Sequence, residues 1–335
     1  MQRADAGLSR DRGLVLMVAL PCLNEAKTVE AVIAGVPAEI PGIRRIEIVV
    51  LDDGSSDETG RLAARAGAQV VTHERNRGLG ATFREAVDLA LAKGADILVN
   101  IDGDGQFDAA DIPSLVAPIV AGGVDMVTAS RFMNEQTRPE MPAIKRWGNS
   151  QVANIVALLT GVRFKDVSCG FRALSAEALL RLNLVGSFTY TQETFIELVF
   201  KQLNIVEIPV KVRGTREFGT SRVASNLPLY AFRALQIMLR AFIAFRPLVF
   251  FATLSALFAV PGFGLLLFLC THYLRTGLFS PHIWSGFVGG SFAFLSMSTL
   301  VTGLVADMLV RIRLNQENSL YFLKSTEWRR QREDV

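Results

Sequence analysis

Short apolar runs alternate with segments of helical periodicity over the first two-thirds of the chain. Apolar and polar residues do not alternate within these runs, and such uninterrupted runs predict strands that are buried on both faces of a sheet. The predicted strands are residues 14–20, 46–51, 69–72, 95–99, 124–129 and 205–212, and the predicted helices are 26–35, 81–92, 145–160 and 191–203. This alternation favours an α/β fold in which a parallel sheet carries helices on both faces.

The last third of the chain has a different pattern. Residues 247–270 and 283–306 contain no charged side chain, and each stretch exceeds the roughly 20 residues that a helix needs to span a bilayer. We predict two transmembrane helices here, with buried globular helices as the alternative. Residues 227–246 place apolar side chains at helical spacing with arginines between them, which predicts an amphipathic helix at the membrane surface.

Composition and charge narrow the class of protein. The hydrophobic content is 50% and the mean hydropathy is positive, and the excess lies in the apolar third, which indicates a membrane. The net charge of +3 does not indicate a nucleic-acid-binding protein. Three cysteines imply no disulfide framework and fit a reducing compartment, and the three histidines show no metal-ligand spacing.

These patterns predict the organisation of the chain. The predicted segments are a loose tail over 1–12, a catalytic domain over 13–222, amphipathic interfacial helices over 223–246, a two-helix transmembrane region over 247–310 and a basic tail over 311–335. Arginines flank the two spans on both outer sides, so the positive-inside rule predicts that the catalytic domain and both termini are cytoplasmic. Asp307 and Arg311 are four residues apart and are expected to pair.

Polar clusters follow three of the predicted strands. The clusters are Asn24-Glu25, Asp52-Asp53 and the pair Asp102 and Asp104. Since ligands of such sheets bind outside the carboxyl ends of the strands, the clusters are expected to converge on one site. No G-x-G-x-x-G motif follows the first strand, which counts against a dinucleotide fold, and the Asn76–Gly80 turn lacks the ending of a phosphate loop.

The acidic turn, residues 102–106, is the strongest candidate for chemistry. Asp102, Asp104 and Gln106 offer hard oxygen ligands that suit Mg²⁺ or Mn²⁺ shared with a diphosphate. The alternative is an acidic turn that is only solvated. Asp53 could accept hydrogen bonds from a nucleotide base, or serve turn and cap chemistry together with Ser55, Ser56 and Asp57.

Basic residues form a second set of candidates. Arg146 and Ser150 are four residues apart and share one helix face. The loop that follows the last predicted strand carries Arg213, Arg216 and Arg222. Three guanidiniums suit bidentate phosphate contacts, although a solvated loop explains them equally well.

In order along residues 14–222, these motifs resemble the family 2 glycosyltransferases of the GT-A fold. The branch they resemble is that of the polyprenyl-phosphate glycosyltransferases, which includes the dolichol-phosphate mannose synthases, and the membrane pair fits that branch. The motifs are Pro21-Cys-Leu-Asn-Glu25, Asp52-Asp-Gly-Ser-Ser-Asp57, Asn76-Arg-Gly-Leu-Gly80, Asp102-Gly-Asp-Gly-Gln106, Ser130-Arg131, Asp166-Val-Ser-Cys-Gly-Phe-Arg172 and Arg216-Glu-Phe-Gly-Thr-Ser-Arg222. The resemblance implies a Rossmann-like mixed sheet with helices on both faces, a C-terminal amphipathic helix and two transmembrane helices.

The resemblance also implies roles for residues. The nucleotide sugar would be held by Pro21, Leu23, Asn24, Glu25, Asp53, Asp102, Asp104 and Gln106. The metal would be held by Asp102, Asp104 and Gln106, and the acceptor phosphate by Arg131, Arg146, Ser150, Arg216 and Arg222. The catalytic residues would be Asp104, Arg131 and Asp166.

Two positions depart from the family pattern. Gly103 stands where the family often has Ala and is expected to loosen the metal turn slightly, and Arg222 stands where Lys is common. The Gln-x-x-Arg-Trp motif of processive polysaccharide synthases is absent, which favours the transfer of a single sugar.

The implied reaction is an inverting, metal-dependent transfer of one hexose. The donor would be a nucleotide-diphosphate sugar of the GDP-mannose or UDP-glucose type, and the acceptor a dolichyl or undecaprenyl phosphate. One alternative is a glycolipid synthase that uses a diacylglycerol or ceramide hydroxyl, and another is an inactive membrane scaffold. The apolar helices also offer a surface for homo-oligomers.

Overall fold

A computed structural model gives the fold of this chain. The structure describes residues 13–137, 139, 141, 143–184, 190–213, 236, 239–240 and 242–333. The chain divides into two compact units. The described residues up to 236 and residues 320–333 form the first unit, and residues 239–319 form the second.

A mixed β-sheet is the centre of the first unit. Within the described residues its strands are β1 (Leu14–Cys22), β2 (Ile43–Asp52), β3 (Gln69–Thr72), β4 (Ile97–Asn100), β5 (Met126–Ser130), β6 (Arg172–Ser175) and β7 (Ile205–Pro209). Their spatial order is β3-β2-β1-β4-β6-β5-β7. The central β1 is inaccessible to solvent from Leu16 to Leu20, as its uninterrupted apolar run predicts for a strand covered on both faces.

Helices connect and cover the strands. In the described part of the first unit they are α1 (Val29–Ala34), α2 (Thr59–Arg65), α3 (Leu79–Ala92), α4 (Ile112–Ala121), α5 (Ala143–Thr160), α6 (Ala176–Arg181) and α7 (Thr191–Phe200). The α/β prediction is therefore confirmed. α1 begins three residues later than predicted, because Asn24 adopts a left-handed φ of 57° and Glu25 O accepts the N–H groups of Thr28 and Val29.

One strand makes the sheet mixed, which confirms the sheet that the resemblance implies and corrects the parallel sheet predicted from the alternation of strands and helices. β6 lies between β4 and β5 and is antiparallel to both. The sequence indicates only a turn into a short extended piece at this point. The chain reverses before β6, where the fully buried Arg172 donates to Cys169 O (2.8 Å) and Val167 O (3.3 Å). These bonds hold the preceding loop against the first residue of β6, which runs in the opposite direction to its neighbours.

Two long apolar helices account for most of the described second unit. They are α8 (Pro247–Thr276) and α9 (Ile283–Glu333). By length and composition, both could cross a membrane. Ser255 Oγ and Ser296 Oγ lie 3.0 Å apart between the helices, and the predicted Asp307–Arg311 pair is present at 3.7 Å. Most of the predicted amphipathic segment 223–246 lies outside the described residues.

The C-terminal end of α9 belongs to the first unit. The sequence predicts only a basic tail from residue 311, whereas the structure makes residues 311–333 helical. Trp328 is 3% exposed, and its indole N–H donates to Ala95 O at 2.9 Å. Arg332 Nε lies 2.8 Å from Asp96 Oδ1. These contacts join the end of the chain to the segment that leads into β4.

Removing the Trp328 side chain should destabilise the first unit. We expect Trp328→Ala to lower the free energy of unfolding by about 3 kcal/mol, because a large buried side chain is lost. Trp147→Ala is the matched control, since Trp147 is 61% exposed and its loss should change stability by less than about 0.5 kcal/mol. Denaturant unfolding of the full chain in detergent measures both variants. Equal losses in the two variants would contradict the packing described here.

Candidate active site

The tip of β1 is joined to the tip of β2. Asn24 N–H donates to Ser55 Oγ at 2.9 Å, and Asn24 Oδ1 accepts the Ser56 N–H at 2.7 Å. Glu25 N–H donates to Thr59 Oγ1 at 2.8 Å. The loops that follow two adjacent parallel strands therefore form one hydrogen-bonded layer at the carboxyl edge of the sheet.

Asp53 anchors the Asn76–Gly80 turn. Its Oδ1 accepts the Arg77 N–H at 2.8 Å and its Oδ2 accepts the Gly78 N–H at 3.0 Å. The His73 Nδ1 lies 2.7 Å from Oδ1, and the His73 Nε2 lies 2.6 Å from Glu85 Oε2. The structure thus gives Asp53 a role within the protein, and its contact with a nucleotide base stays a prediction.

His73 has partners that the sequence does not predict. Its side chain is buried between two carboxylates that lie on different elements of the fold. The only signal in the sequence was a single histidine at the end of a strand, which by itself indicates nothing about its partners.

The acidic turn follows β4 and contacts the β1 loop. Asp104 is 3% exposed, and its Oδ1 accepts the Gln106 N–H at 3.0 Å. Gly103 O accepts the Thr28 hydroxyl at 2.7 Å. Gly105 adopts a φ of 70°, a conformation that a side chain would disfavour. The turn is therefore fixed by one hydrogen bond within it and by another from Thr28.

The three strand tips meet around one buried thiol. Burial raises the pKa of Cys22 well above its usual value, and the nearby negative charges raise it further. Those charges belong to Glu25, Asp52, Asp102 and Asp104. Carboxylates at or beyond the ends of β1, β2 and β4 thus all act electrostatically on one buried side chain.

Gly103 is tightly packed, which corrects the expectation that it loosens the turn. A Cβ added there would overlap Cys22 Sγ, and it would lie 3.7 Å from Cys22 Cβ. The acidic turn approaches the thiol more closely than any residue with a side chain would allow. Residue 103 can therefore carry a side chain only if the side chain at position 22 is no larger than that of Ala.

Arg131 and Asp166 form a bidentate ion pair. Arg131 Nε and Nη2 donate to the Asp166 carboxylate at 2.6 and 2.9 Å, and the Arg131 N–H also donates to it at 3.2 Å. The Asp166 side chain is inaccessible to solvent. Two residues predicted to be catalytic are thus brought together, and Asp166 fixes the orientation of the guanidinium that follows β5.

A buried cluster connects the acidic turn to the Asp166–Arg172 loop. A Cβ on Gly170 would lie 3.2 Å from Asp102 Oδ2, and Gly170 O accepts the Asn100 amide at 3.0 Å. Burial lowers the pKa of Arg172, whereas the charge of Asp102 acts to raise it. Burial and Asp102 both raise the pKa of Tyr190. Asp102 therefore interacts electrostatically with a neutral phenol, that of Tyr190, and with a buried cation, that of Arg172.

The remaining predicted site residues lie in different surroundings. Gln106 Nε2 donates to Arg213 O at 3.2 Å and Arg213 N–H donates to Gln106 O at 3.1 Å, so the first residue of the basic loop contacts the acidic turn. Arg146 and Ser150 are exposed on α5. Pro21 and Leu23 are half-buried beside Cys22 in the chain. Arg216 and Arg222 lie outside the described residues.

The acidic turn has oxygen donors that suit a hard divalent cation. Asp102 and Asp104 supply carboxylates and Gln106 supplies an amide oxygen, the donor types that Mg²⁺ and Mn²⁺ prefer. Among the residues that the structure describes, no three His, Cys, Asp or Glu side chains form a group that could hold a metal ion. A diphosphate offers oxygen ligands of the same hard type to such a cation.

Comparison with known proteins identifies relatives. The sequence model of the family described as "Glycosyl transferase family 2" matches residues 17–181. An uncharacterized glycosyltransferase of Mycobacterium tuberculosis is 34% identical over 220 residues, which are 64% of this chain and 92% of the relative. Polyprenol monophosphomannose synthase of Mycolicibacterium smegmatis is 29% identical over 223 residues, which are 63% of this chain and 81% of that protein.

A solved structure has the same fold. It is glucosyl-3-phosphoglycerate synthase from M. tuberculosis in complex with Mn²⁺, UDP and glucosyl-3-phosphoglycerate. It is 23% identical, covers 70% of this chain and 81% of its own, and has a TM-score of 0.54. This similarity confirms the GT-A type of mixed sheet.

The contact between Gly103 and Cys22 can be tested with a double-mutant cycle. We expect Gly103→Ala to destabilise the protein by about 1–3 kcal/mol, because an extra methyl group overpacks the turn. Cys22→Ala removes the sulfur atom that this methyl would meet, so the double variant should regain most of the loss. Gly148→Ala is the control, since a Cβ at Gly148 meets nothing within 4 Å. The midpoint of denaturant unfolding measures each variant, and strictly additive effects would refute the coupling.

Proposed function

The chain belongs to glycosyl transferase family 2 and is a hexosyltransferase, and we propose that it transfers one hexose from a nucleotide-diphosphate sugar to a polyprenyl phosphate. The observation that carries this proposal is the contact between the acidic turn and the backbone of Arg213, whose N–H and carbonyl are both hydrogen-bonded to Gln106. Transfer between two anions needs a cation site for the departing diphosphate beside positive charge for the incoming phosphate. The relative named for polyprenol monophosphomannose synthesis supports this acceptor class.

The donor would lie at the carboxyl edge of the sheet. In this proposal Pro21, Leu23, Asn24, Glu25 and Asp53 hold the nucleoside, and Asp102, Asp104 and Gln106 hold Mg²⁺ or Mn²⁺ with the diphosphate. When bound, the cation neutralises negative charge on the departing diphosphate. The backbone N–H of Gln106 orients the Asp104 carboxylate, and the Thr28 hydroxyl fixes the backbone of the turn through Gly103 O.

The acceptor would be held by guanidiniums. We propose that Arg131, Arg146, Ser150, Arg216 and Arg222 surround the lipid phosphate. A phosphate monoester has a second pKa of about 6 and is mostly a dianion at neutral pH, so its oxygen can attack without a strong general base. The new bond joins this oxygen to the anomeric carbon on the face opposite the departing diphosphate, which inverts the configuration. The main catalytic task is to align two anions that repel each other.

Asp166 would act by positioning Arg131. Both of its carboxylate oxygens accept hydrogen bonds from the Arg131 side chain, and it has no exposed surface. These contacts favour a residue that orients the guanidinium over one that removes a proton from the acceptor. In this proposal Arg131 contacts the reacting phosphate and Asp166 contacts Arg131.

The membrane third would hold the enzyme where the lipid acceptor lies. We propose that α8 and α9 cross the bilayer and that the protein is an integral, multi-pass membrane protein with the catalytic domain and both termini in the cytoplasm. Arginines outside both spans support this orientation. The same proposal keeps the division into domains at residues 222, 246 and 310, and includes homo-oligomers formed through the apolar helices.

Replacement of Asp104 tests the donor site. We expect Asp104→Asn to lower sugar transfer to polyprenyl phosphate by at least about 100-fold, because charge stabilisation at the departing diphosphate is lost. Chelation of divalent cations should have the same effect on the wild-type enzyme, and Mn²⁺ or Mg²⁺ should restore it. Asp108→Asn is the control with the same charge change, since Asp108 caps a short helical turn through Ala110 N–H.

The assay also identifies the donor. Membranes that contain the full chain are incubated with a panel of labelled nucleotide sugars that includes GDP-mannose and UDP-glucose, and the lipid fraction is extracted and counted. Near wild-type transfer by Asp104→Asn would contradict the proposed metal site. Label in a neutral glycolipid rather than a polyprenyl phosphate would contradict the proposed acceptor.

Replacement of Asp166 separates positioning from proton transfer. If Asp166 only orients Arg131, Asp166→Asn should raise the KM for the lipid phosphate by about tenfold and change kcat less, because phosphate binding is weakened. The pH dependence of kcat should keep its shape. A general base would behave differently: kcat would fall by about 100-fold or more and the pH profile would lose a limb. Steady-state kinetics across pH distinguish the two roles.

A further inference from the structure

Exposed apolar side chains are concentrated on one part of the first unit. Among the described residues from 13 to 213, four large apolar side chains are exposed: Trp147 (61%), Leu158 (84%), Val162 (41%) and Val206 (37%). Three of the four lie on α5 or in the turn that follows it. We call residues 143–165 the α5 surface. Single exposed apolar residues are ordinary, but a group of them on one element indicates an interaction site.

The exposed residues share one face of the helix. Trp147, Ser150, Asn154 and Leu158 follow one another at helical spacing, and all are exposed. The opposite face is buried and includes Val156, which is inaccessible to solvent. Trp147 and Leu158 are therefore outward-facing residues of a helix whose other side packs on the domain.

The charge of the α5 surface has a single sign. Residues 143–165 contain Lys145, Arg146, Arg163 and Lys165 and no Asp or Glu. Arg146, Arg163 and Lys165 are exposed. Exposed tryptophan and leucine beside basic side chains are typical of helices that lie in the interface of an anionic membrane.

We propose that the α5 surface lies on the anionic face of a lipid bilayer. Trp147 and Leu158 would enter the boundary between the lipid headgroups and the acyl chains, and the basic side chains would contact lipid phosphates. A second copy of this chain fits less well, because a symmetric contact would bring two basic surfaces together. A bilayer with anionic lipids is complementary in both charge and hydrophobicity.

This inference rests on the proposed function and extends it. Arg146 and Ser150, which are proposed to contact the acceptor phosphate, lie on the α5 surface. The phosphate of a polyprenyl lipid sits at the depth of the lipid headgroups. A helix that binds the headgroup layer through Trp147 and Leu158 would hold Arg146 and Ser150 at the depth where that phosphate is found.

Depth-dependent fluorescence quenching tests the contact. The full chain is placed in nanodiscs of phosphatidylcholine, with and without phosphatidylglycerol, in which a fraction of the lipid is brominated near the headgroup end of the acyl chain. The emission of Trp147 is the difference between wild type and Trp147→Phe, which removes the contributions of Trp284 and Trp328. We expect Trp147 to be quenched, and more strongly with phosphatidylglycerol. Emission that is unaffected by brominated lipid in both compositions would overturn the proposal.

Activity provides the second measurement. We expect the double variant Trp147→Ser, Leu158→Ser to transfer sugar to polyprenyl phosphate in nanodiscs about fivefold more slowly than wild type, because interfacial binding energy is lost. With a short-chain prenyl phosphate in detergent micelles, its rate should match wild type. Val206→Ser is the control, since Val206 is an exposed apolar residue on the edge strand β7. Equal losses in nanodiscs for the control and the double variant would overturn the proposal.

The two measurements separate this inference from the proposed function. If polyprenyl phosphate is not the acceptor, no variant transfers sugar to it, but Trp147 is still quenched by brominated lipid. If the α5 surface instead binds a second copy, quenching is absent and Trp147→Ser, Leu158→Ser changes the oligomeric state on sedimentation. That result would overturn the proposal and leave the sugar-transfer assay unaffected.

Discussion

Carboxylates crowded at one edge of the sheet are the constraint on which the first unit depends. Glu25, Asp52 and the two aspartates of the acidic turn all lie near enough to the buried Cys22 thiol to raise its pKa. Like charges this close repel each other, and the repulsion grows where burial lowers the effective dielectric constant. A fold that keeps these groups together must surround them with hydrogen-bond donors and cations. A divalent cation between the turn and a diphosphate would relieve the same repulsion.

The structure compensates the buried charges of the first unit in several ways. Asp53 accepts two backbone N–H groups and contacts His73, so a neighbouring turn and a buried ring satisfy it. Asp166 accepts hydrogen bonds from the Arg131 guanidinium and from the backbone N–H groups of Arg131 and Ser168. Arg172 carries its charge into the interior and is bonded to three backbone carbonyls, while Asp102 acts on it from a distance. In the acidic turn, Asp104 accepts the Gln106 N–H at 3.0 Å, so this carboxylate also has a hydrogen-bond donor within the fold.

The features that the sequence predicts follow from local patterns, whereas the features that it misses depend on contacts between separate segments of the chain. The ends of β1, β2 and β4 follow from local patterns, because an apolar run stops where polar residues begin, and parallel strands bring such ends to one edge. The contact of Cys22 with Gly103 and that of His73 with Asp53 depend on how closely packed segments approach each other, which no local pattern records. The same holds for Trp328, which bonds to Ala95 across 233 residues of sequence. The antiparallel direction of β6 depends on a buried arginine and its carbonyl partners, and a short extended segment carries no signal of direction.

A transferase that joins a soluble anion to an anionic lipid has to solve two electrostatic problems at one place. The donor diphosphate and the lipid phosphate repel each other, and the lipid phosphate lies in a layer that is itself negatively charged in an anionic membrane. The net charge of the whole chain is only +3, so its overall field attracts neither substrate strongly. Local concentration of charge must therefore provide the attraction. The described residues place carboxylates at the carboxyl edge of the sheet, whereas residues 143–165, which include α5, contain basic residues and no Asp or Glu, so the two signs are concentrated on different parts of one domain. In the proposed function, a divalent cation on the acidic side would offset the like charges of the carboxylates and the diphosphate, and the basic side would contact the anionic headgroup layer.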